Sequence, residues 1–335
     1  MSLSLLNVHT KNVIQICCLP LALFTNISLI VLICTKSPSK LGTYKYLMIF
    51  FAVVSTGYSI VEAVANPLLL SHKDCFQVVC DVQFEDPRVD RNILYYGCGF
   101  CGVIMSMFVI HFVYRFFAIE RRGKLKYFDN WYLVIWLLIP LSTGFTWAQS
   151  LFMFLGEDEE SSEYMREVLY QTYSLNISKV VYVGVLYWKK DGNGQEYLNI
   201  KGLEGVAVLG TIMTICFIFI AVFGSLTYTR IKLLILHGRS EFTKRLQKQL
   251  YHALVIQTMI PIVFMILPLS LYFFSPLFHL GCQVIGDITT MTIVIYPIID
   301  PLPVIFIIDN YRNALFRLIG LKVKRREVNS SSSNT

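Results

Sequence analysis

Seven long apolar blocks govern what this chain can fold into. An α-helix needs ~20 apolar residues to cross the hydrocarbon core of a bilayer. Blocks of that length fall at about residues 13–34, 46–70, 92–119, 131–154, 203–228, 250–274 and 280–308. The first, Val13 to Cys34, carries no charge, and the second is interrupted only by Glu62. The runs are continuous rather than alternating, which excludes a closed β-barrel. Prolines inside them (Pro20, Pro67, Pro140, Pro261, Pro268, Pro297, Pro301, Pro303) suit membrane helices, where neighbouring helices satisfy the freed carbonyls. The chain is 55% hydrophobic and only 15% charged, whereas soluble domains carry about a quarter charged residues. The expectation is an all-α membrane protein: a seven-transmembrane helix bundle over 13–308, a short segment 1–12 before it and a tail 309–335 after it. Met1 to Lys11 has no basic stretch leading into a cleavable apolar core, so the first block reads as a retained span.

The net charge of +7 is sided rather than diffuse. Of the 29 Lys and Arg, 19 fall in the connections that follow the odd-numbered spans, among them Lys36, Lys45, Arg121, Arg122, Arg230, Arg239, Lys248 and Arg317. The opposite connections hold 9, five of them in the long 155–202 loop, which counts weakly because long loops cross regardless of charge. The basic side is expected to be cytoplasmic, with the amino terminus outside and the carboxy terminus inside. This distribution argues for topology and against nucleic acid as a partner. The sequon Asn176-Ile177-Ser178 lies in the long outer loop, which makes Asn176 a glycosylation candidate.

No HExxH, P-loop or GxSxG pattern is present, so no enzyme and no cofactor are expected. The six histidines are scattered and suggest no metal site. Seven spans without an inverted repeat or paired broken helices favour a receptor over a transporter. A ligand-gated channel of the insect odorant-receptor kind is a further alternative, and its reversed orientation separates it from a receptor.

Local residues sharpen this. The first span is followed by Leu41-Gly42-Thr43-Tyr44-Lys45-Tyr46-Leu47-Met48, and the third ends His111-Phe112-Val113-Tyr114-Arg115-Phe116. The seventh ends Tyr296-Pro297-Ile298-Ile299-Asp300-Pro301-Leu302-Pro303, then Asn310-Tyr311-Arg312-Asn313-Ala314. Over all seven spans the chain resembles the nematode str-type serpentine chemoreceptors, a family that includes diacetyl-type odorant receptors. The resemblance implies a plasma-membrane receptor of a sensory-neuron cilium, coupling a small-molecule odorant to a heterotrimeric G protein, with arrestin recruitment by the serine-rich tail as an option. The chain departs from the rhodopsin-like pattern: Tyr114 rather than an acid precedes Arg115, and Asp300-Pro301-Leu302-Pro303 lacks the terminal tyrosine of Asn-Pro-x-x-Tyr.

The switch candidates are therefore Tyr114, Arg115, Asp300 and Pro301. Arg115 either contacts the G protein and forms a polar lock, or snorkels to headgroups. Asp300 beside Pro301 can hold a neighbouring helix through Asn26, or mark a bend with a solvated acid. Glu62 and Asp287, in the outer halves of spans two and seven, form a polar patch in a ligand cavity, suited to an amine, or a structural hydrogen bond. Tyr95, Tyr96, Phe100, Trp147, Tyr272 and Phe273 either line an apolar pocket or pack elsewhere. Cys75, Cys80 and Cys98 are disulfide candidates in an oxidising compartment, with the pairing open. The basic stretch Arg230 to Lys248 and the segment Asn310 to Leu321 suit membrane lipid or a G-protein helix.

Overall fold

A computed structural model describes residues 8–81, 84–120, 124–128, 131–236 and 241–318. Arg121, Arg122, Arg239, the basic residues Lys322, Lys324, Arg325 and Arg326, and the tail serines Ser330 to Ser333 lie outside the described residues. Helices long and apolar enough to cross a membrane number seven among those described. The first two spans are α1 (Val8–Lys36) and α2 (Tyr44–Ala65). A hairpin of β1 (Leu68–His72) and β2 (Cys75–Asp81) leads to the third and fourth, α3 (Pro87–Glu120) and α4 (Trp131–Phe154). The next connection forms α5 (Glu159–Tyr173), β3 (Val180–Leu186) and a small ribbon of β4 (Trp188–Lys190) and β5 (Glu196–Leu198). The fifth span is α6 (Ile200–Leu236). The sixth is α7 (Glu241–Pro261), a π-helical turn over Ile262–Ile266, and α8 (Leu267–Phe274). The seventh is α9 (Gln283–Ile299) and α10 (Leu302–Ile307), and α11 (Asp309–Leu318) follows it.

Burial ranks the spans. In α3, 67% of the apolar window is buried, against 22% in α4 and α6, so α3 is the central helix and the other two face outward. Trp131, Leu138, Ile218 and Leu271 are exposed apolar residues, as lipid-facing positions require. Lipid offers no hydrophobic drive between helices, so close approach depends on small residues. At the α3–α4 crossing, a Cβ on Gly99 would lie 2.7 Å from Gly144 O, and one on Gly144 would lie 2.3 Å from Val103 Cγ2. Only glycine fits that crossing.

The second apolar run does not stay helical to residue 70 as expected. Asn66 takes a left-handed conformation at φ 44° and accepts the role of helix terminator, with its N–H on Glu62 O at 2.9 Å. Pro67 follows, and Leu68–Leu70 enter a strand. The third span begins earlier than expected, at Pro87, where proline suits the first helical turn.

The three strands form one antiparallel sheet in the order β1-β2-β3, with Val79 paired to Leu68 on one side and Tyr182 on the other. Successive side chains alternate between its faces. Leu69, Phe76, Val78, Cys80, Val181, Val183 and Val185 join the bundle core. Leu68, Leu70, Cys75, Val79, Val180, Tyr182 and Leu186 pack with Met165 and Leu169 of α5. The sheet is thus a roof on one end of the bundle, with α5 laid over it. This geometry corrects the expectation of a bridge between Cys75 and Cys80. They point to opposite faces, and five strand steps of ~3.3 Å far exceed the Cα reach of a disulfide. Cys98, in α3, is likewise unbridged.

Candidate functional site

Beneath the roof lies a cavity of about 100 Å³. Its walls come from five spans and the sheet: Tyr58, Glu62 and Ala65 of α2, Leu94, Gly97 and Cys98 of α3, Trp147 and Leu151 of α4, Met265 and Phe273 of the sixth span, Ile293 of α9, and Leu69, Phe76, Val78 and Val183 of the sheet. Nearly every lining atom is carbon. Such a volume suits a molecule of a few heavy atoms, since an apolar cavity of about 150 Å³ holds benzene.

Among the expected pocket residues, Glu62 and Trp147 do line this cavity, and Phe273 and Cys98 with them. Glu62 is not free to receive a cation. Its Oε1 accepts from Gln15 Nε2 at 2.8 Å, and Gln15 also donates to Glu62 O at 3.1 Å. Lys11, one turn before Gln15 on α1, is buried and donates to Asn66 O at 2.6 Å. Both an amide and a lysine from the first span therefore surround the acid expected to lack a cationic partner.

The other candidates are placed elsewhere. Asp287 does not meet Glu62; it accepts from Gln283 Nε2 at 2.9 Å and from Tyr173 OH of α5 at 3.3 Å. Gln283 also donates to Leu69 O at 3.0 Å and accepts from Ser71 N at 3.2 Å. Asp287 thus anchors the roof to the seventh span. Tyr95 packs edge-on against Phe152, and Tyr96 is exposed and stacked on Phe145. Tyr272 is fully buried against Phe76 and Phe273, one layer behind the cavity wall. Asn176 is exposed, and its side chain caps the following turn by accepting from Ser178 N at 3.0 Å. The sheet residues Phe76, Val78 and Val183 were not foreseen as pocket walls.

A clasp closes the roof at its rim. Asp74, in the β1–β2 turn, accepts from Tyr164 OH of α5 at 3.2 Å and meets His279 Nδ1 of the sixth-to-seventh connection at 2.5 Å. Burial, then the Asp74 charge, push the Tyr164 phenol up, so it stays a donor. Trp188 stacks on His279 and donates Nε1 to Leu277 O at 2.9 Å. Lys73 and Gly281 exchange two backbone hydrogen bonds at 2.7 and 3.0 Å, and a Cβ on Gly281 would lie 2.5 Å from Lys73 O. Asp74→Ala is expected to raise amide hydrogen exchange in α5 and residues 275–282, by about 1 kcal/mol of local stability for this half-exposed clasp. Exchange in α3 serves as the unaffected control. Unchanged exchange in both outer segments would remove the clasp from the account.

The opposite end of the bundle is held by polar side chains. Pro301 has no N–H for Pro297 O, and Asn26 Nδ2 of α1 takes that carbonyl at 3.0 Å. Asn26 therefore reaches the seventh span as expected, but at the freed carbonyl rather than at Asp300. Asp300 is 1% exposed and accepts from Gln257 Nε2 of α7 at 3.0 Å. Arg115, 2% exposed, donates Nη1 to Gln247 Oε1, also of α7, at 3.2 Å. Arg115 is thus buried rather than snorkelling. Tyr114 is buried between the Tyr44 and Phe128 rings. Two glutamines tie the sixth span to the third and the seventh. Asp309 adds a third tie near the end of the span, pairing with Arg245 at 2.5 Å and with Arg312.

The serpentine type Str model of seven-transmembrane G-protein-coupled chemoreceptors matches residues 11–316. The chain belongs to the Str chemoreceptor family. It is 33% identical to serpentine receptor class r-10 of Caenorhabditis briggsae, over 92% of this chain and 90% of that one. It is 32% identical to the G-protein coupled receptor str-217 of Caenorhabditis elegans, over 90% and 87%. Membership makes this Str protein a multi-pass chemosensory G-protein-coupled receptor and not an enzyme.

Proposed function

We propose that this Str receptor binds a small, neutral, apolar or weakly polar odorant in the cavity beneath the sheet and passes occupancy to a heterotrimeric G protein at the opposite end. The cavity carries the reading. It is apolar on nearly every wall, and it touches the second, third, fourth, sixth and seventh spans at once. A ligand there contacts Met265 in the π-helical turn and Phe273 beyond it, so it acts on the sixth span directly. It shifts the receptor only by binding one arrangement of that span better than the other. The engagement of Glu62 by Gln15, beside Lys11, argues against a cationic amine as the ligand.

The roofed end is proposed to face outward, at the plasma membrane. Lys36, Lys45, Arg230, Lys244, Arg245, Lys248, Arg312 and Arg317 all fall at the other end of their helices, which supports a cytoplasmic assignment there. In this reading Arg115 and Asp300 are switch residues, and Asn176 is open to glycosylation. The test is expression in heterologous cells with a calcium or cAMP readout against a panel of small volatile compounds. An amino-terminal tag is expected to bind antibody on intact cells. A tag reached only after permeabilisation would overturn the orientation, and a ligand-evoked current without any G protein would favour a channel.

A further inference from the structure

Arg115 is a buried guanidinium that is only half satisfied. Its Nη1 reaches Gln247, while Nε and Nη2 have no partner among the described residues. Leaving charged donors unpaired away from water is costly. Something other than hydrogen bonding must hold the side chain inside. The guanidinium carbon lies 3.6 Å from the centroid of the Tyr44 ring, face on. Arginine stacks on aromatic faces in this way, and desolvation strengthens the attraction. The Tyr44 ring is itself fixed, by its OH against His111 Nδ1 at 3.0 Å and by the Tyr114 ring at 5.1 Å.

We propose that Tyr44 and Gln247 are positioning residues that hold Arg115 in a signalling-silent site, and that they set the basal activity of the receptor. The proposal rests on the receptor reading above. Tyr44 supplies a platform from the second span, and Gln247 supplies the one polar tie from the sixth. A neutral amide binds a guanidinium more weakly than a carboxylate does. The hold is therefore shallow, and a small ligand's differential affinity is enough to release it. When the sixth span moves, Gln247 leaves, and three donor positions of Arg115 become available at the end of the bundle proposed to face the cytoplasm.

The experiment uses the full-length receptor in membranes with a panel of Gα subunits and no odorant. One readout is uptake of a non-hydrolysable GTP analogue. The other is the distance between spin-labelled noncanonical residues placed at the exposed positions Tyr127 and Phe242, on the third-span and sixth-span sides. Tyr44→Leu and Gln247→Ala are expected to raise basal uptake about tenfold each, the change that ~1.4 kcal/mol of lost hold produces, and to lengthen the distance. Tyr44→Phe keeps the ring and is expected to stay silent. Gln247→Glu supplies a full charge and is expected to drop basal uptake below wild type, an opposite shift that a merely structural residue does not give. Unchanged distance and uptake in Tyr44→Leu and Gln247→Ala, or a rise with Gln247→Glu, overturns the proposal. If wild type couples and the variants match it, the positioning role fails and the receptor reading stands. If the distances shift as expected while no Gα responds to any form, the positioning role stands and the coupling reading fails.

Discussion

Arg115→Ala is expected to abolish G-protein activation while leaving the receptor at the cell surface in near wild-type amount. The two halves of this result have different causes. Folding loses little, because Arg115 is a poorly satisfied buried charge: one hydrogen bond and one ring contact go, and two unpaired donors go with them. Signalling loses much, because a released guanidinium offers charge-assisted hydrogen bonds of about 1.5–3 kcal/mol each, and losing two of them lowers coupling by more than about tenfold. Surface staining and GTP-analogue uptake, measured on the same cells, separate the two. A variant that reaches the surface and signals normally would falsify the role given to Arg115. Arg115→Lys is expected to be intermediate at best, since an ammonium lacks the planar fork that both stacks on Tyr44 and presents several donors.

The second large effect concerns the cavity. Ala65→Phe is expected to eliminate the response to any small odorant that activates the wild type, with basal uptake and surface level kept. Ala65 is the last residue of α2 and lines the cavity from the roof side, where a ring can enter the void rather than displace packed atoms. Leu155→Ala works in the opposite sense. It removes branched carbons from the wall and is expected to shift the response towards larger compounds. Burial of apolar surface is worth about 25 cal/mol per Å², so a ligand this small binds weakly, and the loss will be seen as a missing response rather than a shifted midpoint. A wild-type dose–response retained in Ala65→Phe would place the ligand somewhere other than beneath the sheet.

The spans were legible because nothing interrupts them. Val13 to Cys34 has no charge, and a helix that turns to lipid on most sides needs no periodic pattern to be found. The sheet was not legible for a related reason. Leu68–Leu70 prolong the apolar run of α2, so the strand hid inside an expected helix until Asn66 and Pro67 are given their weight as breakers. Val180–Leu186 is buried on both faces and therefore shows no alternation. Its β-branched run Val180-Val181-Tyr182-Val183 carried the only available signal. The candidate acids were found by their cost in a membrane, but their partners were not. Gln15, Gln247, Gln257 and Tyr173 are ordinary residues in sequence, and only the packing of helices brings them to Glu62, Arg115, Asp300 and Asp287. The pairing of Asn26 with the Pro297 carbonyl was half legible: proline announces an orphaned carbonyl, and depth alone suggested the wrong acceptor two to three residues away.

The roof has a consequence for biosynthesis. Strand β2 is bonded on both sides, yet its partners leave the ribosome at different times: β1 just before it and β3 about a hundred residues after it. At the usual ~5–20 residues per second, the outer edge of β2 stays unpaired for on the order of ten seconds while two further spans are inserted. An open apolar strand edge is a template for pairing with other chains. The nascent receptor therefore passes through a vulnerable interval before its ligand chamber exists, and closure of the sheet by β3 is the step after which the chain no longer offers that edge to quality-control factors.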